Sequence, residues 1–277
     1  MEKRKTKIEN PNQKNLISVT ELTQYLYCPR KLYLTKVKNI REPFTLPMLR
    51  GMLKHRILDY FNKDEPQLIQ SIKNQIPEKQ IQNLYKLLLE QKISSVINKH
   101  NFQIQQLKLN TSEFYNELFE KSNKDINEKS KSCYKFLCLG FTGKNLWDNI
   151  SPKFQTELTL ESESLGLKGR IDKVEISKLQ TIPYEIKTRP DIYESDKIQL
   201  AAYALLLEKQ FNKPITKGII QSESEKQEIQ LDQELKNKVI ELKNKIHELY
   251  NSQEIPQMQS NFKKCEKCSL KKICLEI

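Results

Sequence analysis

Gly169-Arg170-Ile171-Asp172-Lys173-Val174-Glu175-Ile176, followed after a short polar gap by Ile182-Pro183-Tyr184-Glu185-Ile186-Lys187, is the stretch that decides how this chain folds. From Lys153 onward the apolar residues run at a period near two, which is the spacing of strands rather than helices. Residues 177–181 have the length and polarity of a turn, so 169–176 and 182–187 read as neighbouring strands. Positions two apart on a strand share a face. Glu185 and Lys187 therefore point one way and Ile186 points into the core. Pairing the two strands brings Asp172 to Glu185. Two carboxylates held together repel, and a bound divalent cation relieves the repulsion. Hard oxygen ligands suit Mg²⁺ or Mn²⁺, and such an ion acidifies water and stabilises charge on a phosphodiester. A lysine one step along the same face can orient that water or neutralise the developing anion. Strand ends also carry Asp, Glu and Lys on solvated faces, so the spacing alone leaves both readings open.

Working outward, 154–160 is a further strand, and Glu157 on it is an additional acidic candidate read as a surface residue. After the Glu-x-Lys strand, residues 196–211 read as a helix, 214–221 as a strand and 231–250 as a long amphipathic helix. Upstream, Ser18 can cap a helix over 18–37 with Glu21 three residues on, and Pro29 marks a kink or a new helix start. A second helix covers 50–61. Residues 62–150 are rich in Gln, Asn and Lys, with helical patches at 81–97 and 114–119. The expected organisation is a basic disordered tail (1–17), N-terminal helices (18–61), a helical insertion or lid (62–150), an α/β core (151–250) and a cysteine-bearing end (251–277).

The 277 residues are 37% hydrophobic and 30% charged, with a net charge of +12. The first sixteen residues contribute only +3 of that, so the folded body is itself basic. A basic body favours a polyanionic partner, nucleic acid above all. No apolar run reaches the length of a membrane span, and the first residues lack the apolar stretch of a signal peptide. The chain reads as cytoplasmic, where six cysteines point to metal ligation more than to disulfides. No Gly-x₄-Gly-Lys-Ser/Thr phosphate loop occurs.

Cys265, Cys268 and Cys274 are spaced so that three thiolates can converge on one inorganic centre. A closed four-thiolate site needs a fourth. Cys28, in Tyr27-Cys28-Pro29-Arg30-Lys31, is the best placed, while Cys133 and Cys138 have no partners at matching spacing. Four thiolates suit zinc as well as an iron–sulfur cluster, and spacing alone favours zinc.

Gly169-Arg170-Ile171-Asp172, Glu185-Ile186-Lys187 and Gln199-x₃-Tyr203, in that order, resemble the motifs of the RecB-like branch of the PD-(D/E)xK nucleases. His55, in Arg50-Gly51-Met52-Leu53-Lys54-His55, resembles that family's helical histidine. One early cysteine with a late Cys-x₂-Cys-x₅-Cys resembles the clamp of the CRISPR-associated RecB-like exonucleases, the "Cas four" family. The resemblance implies an α/β nuclease core with flanking helices, a helical insertion and a cluster-bound helical cap. It implies that His55, Asp172 and Glu185 bind Mg²⁺ or Mn²⁺ with the backbone carbonyl of Ile186, that Lys187 assists the attacking water, and that Gln199 and Tyr203 support the site or the DNA. It also tips the four-cysteine centre, Cys28 with Cys265, Cys268 and Cys274, from zinc to a 4Fe–4S cluster. The implied activity is exonucleolytic hydrolysis of DNA at single-stranded ends in CRISPR spacer acquisition, beside the spacer integrase. The alternatives are a RecB-like nuclease of repair or of a mobile element, and a non-catalytic iron–sulfur DNA-binding scaffold. Relatives with this pattern are usually shorter, so 62–150 reads as an enlargement.

Overall fold

The computed structural model describes residues 16–277 except Lys178, Glu223, Ser224, Gln253 and Ser260. Most of the expected basic tail lies outside the described residues. Its last member does not belong to it: Ile17 is buried and forms, with Ser18, a short strand β1 (Ile17–Ser18).

The N-terminal helical segment is two helices, α1 (Val19–Tyr27) and α2 (Pro29–Lys36). Ser18 and Glu21 form the reciprocal capping box that starts α1. Pro29 opens α2 at its first position, where its missing N–H costs nothing, and the Cys28 sulfur accepts from the backbone N–H of Lys31. Next come α3 (Leu46–Gln70), α4 (Glu78–Lys99), α5 (Asn101–Gln106), α6 (Thr111–Cys138) and α7 (Gly143–Asn149). These helices bury their own core, from Leu49, Leu53 and Ile57 on α3 to Ile93 and Val96 on α4, Cys133 on α6 and Leu146 on α7. The boundary expected at residue 62 falls inside α3, because that helix buries Leu49, Leu53, Ile57, Phe61 and Ile69 in the helical core on both sides of it.

The second core is the sheet and its helices: β2 (Lys153–Ser162), β3 (Leu167–Ile176), β4 (Thr181–Ile186), α8 (Glu194–Phe211), β5 (Lys217–Gln221), β6 (Lys226–Gln230) and α9 (Gln233–Asn251). Two short helices, α10 (Phe262–Glu266) and α11 (Lys271–Glu276), end the chain. The six-stranded sheet runs β1-β3-β4-β5-β6, with β2 also on β3. β3 is antiparallel to β2 and β4, while β4 and β5 are parallel, joined through α8. The charged sequence of β6 carries only Ile229 as a buried residue, so its pattern does not announce a strand.

Two glycines let α8 lie on the sheet. A Cβ at Gly169 would come within 2.8 Å of Val19 and 3.2 Å of Tyr203, and one at Gly218 within 2.7 Å of Leu200. The first glycine of the Gly-Arg-Ile-Asp stretch is thus a close-approach residue, and it allows Tyr203 to reach the strands that carry Asp172 and Glu185.

Candidate active site

Five elements converge: α3 brings His55, β2 Glu157, β3 Asp172, β4 Glu185, and α8 Asp196, Gln199 and Tyr203. Lys187 follows directly on β4. Asp172 and Glu185 are both buried. Asp172 Oδ2 accepts from the Ile186 N–H at 2.8 Å, which fixes the aspartate between the two strands. Its Oδ1 stands 3.2 Å from His55 Nδ1.

Lys187 is held three ways. Its Nζ donates to Glu185 Oε1 at 2.6 Å and to Gln199 Oε1 at 2.9 Å, and lies 3.3 Å from Asp196 Oδ1. An ammonium has three protons, and three acceptors are in place. Burial opposes the charged form, but Glu185, Asp196 and Asp172 outweigh it and hold the Lys187 pKa above its usual value. Gln199 Nε2 donates in turn to the Tyr203 hydroxyl at 2.9 Å. Gln199 and Tyr203, one helical turn apart, therefore relay from the lysine into the floor of the site.

Asp196 is a participant that the sequence pattern does not single out. It caps its own helix by accepting from the Tyr193 N–H, and it takes Arg189 on both oxygens at 2.7 Å. Those contacts overcome its burial and keep it ionised. The signal was local: an aspartate in the first turn of a helix, with an arginine in the preceding loop.

Glu157 corrects the expectation of a surface residue. Its Oε1 is 3.2 Å from His55 Nδ1, and Arg170 Nε is 2.8 Å from its Oε2. His55, Glu157 and Asp172 offer three ligand atoms all within 4.8 Å of one another. Reading β2 and β3 as one hairpin through 163–166 would have placed Glu157 opposite Asp172. The flanking carboxylates outweigh burial and raise the His55 pKa. Burial, and then Asp172, push Glu185 up to about 8. Glu185 Oε2 is buried without any hydrogen-bond partner.

The cysteines also gather. Cys28, Cys265, Cys268 and Cys274 line one cavity of about 420 Å³ together with Arg30 and Lys31. Arg30 Nε donates to Cys274 Sγ at 3.2 Å, and the Tyr27 hydroxyl donates to the Lys264 carbonyl at 2.8 Å. Among the described residues no three of these sulfurs come within 4.8 Å of one another. Cys133 is buried in the helical unit and Cys138 is exposed, both far in the chain from this cavity.

A beside-the-site cavity of about 300 Å³ opens between the helical unit and the sheet, lined by Lys54, Lys129, Lys226, Ile186 and Gln221 among others. Among the described residues no helix is long and apolar enough to cross a membrane.

Comparison with known proteins agrees with this geometry. The chain is 29% identical over 150 residues to a CRISPR-associated exonuclease Cas4/endonuclease Cas1 fusion of Leptospira interrogans, over 49% of this chain and 28% of that one. It is 32% identical over 146 residues to a fusion of the same description from Myxococcus xanthus, over 49% of this chain and 26% of that one. It is 30% identical over 118 residues to the CRISPR-associated exonuclease Cas4 of Francisella tularensis subsp. novicida, over 42% of this chain and 60% of that one. The chain thus spans less than two thirds of the length of each of these relatives. The family model of the PD-(D/E)XK nuclease superfamily matches residues 16–275, which takes in every element of the site. This chain belongs to the PD-(D/E)XK nuclease superfamily.

Proposed function

We propose that this protein is a divalent-cation-dependent deoxyribonuclease that hydrolyses phosphodiester bonds at single-stranded DNA ends, and that it trims prespacers beside the spacer integrase in CRISPR adaptation. The observation that carries the nuclease reading is the Lys187 ammonium, fully engaged by Glu185, Gln199 and Asp196 next to the buried Asp172. The relatives that join an exonuclease to the endonuclease Cas1 in one chain support the CRISPR setting.

The residues fit a hard cation. Glu185 Oε2 is buried without a partner beside the buried Asp172, with Lys187 on the other Glu185 oxygen only; a further cation would take the open oxygen and offset the repulsion between the two carboxylates. His55, Asp172, Glu185 and the Ile186 carbonyl would hold Mg²⁺ or Mn²⁺, which when bound lowers the pKa of a water and stabilises charge on the scissile phosphate. Lys187, kept protonated, has no lone pair and is no base. Its positive charge assists the attacking water and neutralises charge as it develops, and a water near it would displace Asp196, the longest of its three contacts at 3.3 Å. Asp196 and Gln199 fix its position, and Tyr203 fixes Gln199. Phosphate contacts dominate affinity for nucleic acid, and the net charge of +12 supplies cations for them.

The four cysteines fit a closed thiolate centre in residue type and in sharing one cavity, and the family resemblance favours a 4Fe–4S cluster over zinc. In that role the cluster would join α2 to the C-terminal helices. The test is an assay on end-labelled single- and double-stranded DNA with Mg²⁺ or Mn²⁺. Shortening of single strands from one end supports the reading. DNA binding without cleavage under every metal would return the protein to a non-catalytic scaffold.

A further inference from the structure

We infer that Glu157 is a direct ligand of the catalytic cation, added to the set implied by the nuclease motifs; this rests on the metal-dependent nuclease reading and deepens it. Glu157 sits on β2 between Thr156, which pairs with Lys173, and Leu158, which pairs with Ile171. The register is the same on both sides, so no residue is inserted, and Glu157 lies across from Asp172. Yet its backbone turns to φ 52°, the left-handed region. A residue with a side chain adopts that conformation inside a strand only when its surroundings hold it there. The turn presents Oε1 to His55 Nδ1, while Arg170 takes Oε2 from the exposed side.

His55 Nδ1 stands 3.2 Å from Glu157 Oε1 and 3.2 Å from Asp172 Oδ1. One nitrogen has one proton or one lone pair to offer, so it cannot satisfy both oxygens as a donor. A cation among the three atoms satisfies all of them at once. The neighbouring Glu185, fully buried, keeps Oε2 without a partner. Lys187 engages only the other oxygen of that carboxylate, so a buried ligand atom is left open beside the three. A nitrogen with several carboxylate oxygens is a donor set for Mn²⁺ or Mg²⁺. Arg170, on the outer oxygen, offsets the excess negative charge that a third carboxylate brings.

The competing role for Glu157 is to orient His55 by a hydrogen bond alone. Glu157→Gln separates the two, because an amide oxygen still accepts from the imidazole but is a poor ligand. The measurement is Mn²⁺ binding by calorimetry and by the electron paramagnetic resonance spectrum of the bound ion, on the full chain without DNA. We expect E157Q to bind Mn²⁺ about tenfold or more weakly, with an altered spectrum and an unchanged melting temperature in chelator. Glu157→Gly, free to take the left-handed backbone, removes the ligand and the hydrogen bond to His55 together. It is expected to lose at least the same affinity with a level or higher metal-free melting temperature, and wild-type affinity in it alone would overturn the assignment should the glutamine variant misfold. Wild-type affinity and spectrum in both variants overturn the assignment of Glu157 alone. Wild-type protein that binds no Mn²⁺ overturns the nuclease reading and this inference together.

Discussion

The carboxylate–lysine site and the cysteine cavity are both built from residues far apart in the chain, but they differ in what holds them. In the first, protein groups hold one another: Ile186 N–H fixes Asp172, Lys187 ties Glu185 to Gln199 and Asp196, and Arg189 locks Asp196. In the second, the sulfurs face a shared cavity, and the hydrogen bonds that join the two ends run around it: Arg30 to Pro256 and Cys274, Tyr27 with Lys264, Ser269 to Glu42; only the one from Arg30 Nε ends on a sulfur. A site wired by hydrogen bonds is preorganised before its cation arrives. A site whose ligands do not touch depends on the centre that joins them. The difference teaches that losing the ion should cost the first site chemistry and the second site structure.

The sharpest way to break that contrast is at the carboxylates. Asp172→Ala or Glu185→Ala should lower cleavage by about 10⁴-fold while DNA affinity, set by lysines on phosphates, stays near wild type in a filter-binding or anisotropy titration. Cleavage at the normal rate in either variant removes the assigned site. Lys187→Ala should lower kcat by about 10²- to 10³-fold with a much smaller change in Mn²⁺ affinity. A parallel collapse of both would mean that the lysine assembles the site rather than acting in it.

At the cysteine end, Cys28→Ser should bleach anaerobically purified protein and destabilise it by on the order of 3 kcal/mol, the scale of a lost long-range cross-link. Cys133→Ser and Cys138→Ser should keep the full iron content. Iron and acid-labile sulfide analysis with thermal melts decides it. Colourless wild-type protein with one zinc would replace the cluster yet keep the clamp, and a Cys28→Ser protein with its full cluster would remove the clamp.

The smallest effect tests a joint of the first kind at the N-terminus. Glu21 is buried, accepts from Ser18, and bonds the Tyr250 hydroxyl of α9. Burial raises its pKa, but Ser18, Tyr250 and Lys36 outweigh it and leave the net shift downward. A carboxylate with a depressed folded pKa adds stability that is full above its unfolded value and is lost as pH falls through the folded one. Glu21→Gln should therefore cost about 1 kcal/mol near neutral pH, and the gap should close below about pH 4. An equal gap at pH 3 and pH 7 in denaturant melts would show that charge plays no part.

Much of this was readable without coordinates because it is local. The period-two pattern around 169–187, the capping box at Ser18, and the four-residue spacing of Gln199 and Tyr203 each follow from backbone geometry over a few residues. The strands came within a residue or two of β2, β3 and β4. Glu157, Asp196 and Arg189 escaped for a common reason. Each earns its place through a partner on another element, and a lone acidic or basic residue looks the same on a wet surface. β6 escaped because pairing with β5, more than its own apolar content, makes it a strand.

By itself, then, the sequence determined which residues could do chemistry: the carboxylates and lysine on neighbouring strands, the helical histidine, and cysteines at ligand spacing. Side-chain type and short-range periodicity suffice for that. Only the tertiary structure decided which of them meet. It set Glu157 against His55, aimed Asp196 at Lys187, and assigned α3 to the helical unit. Such distances depend on how sheets, helices and close-packed glycines settle against one another, and that packing is a property of the whole chain.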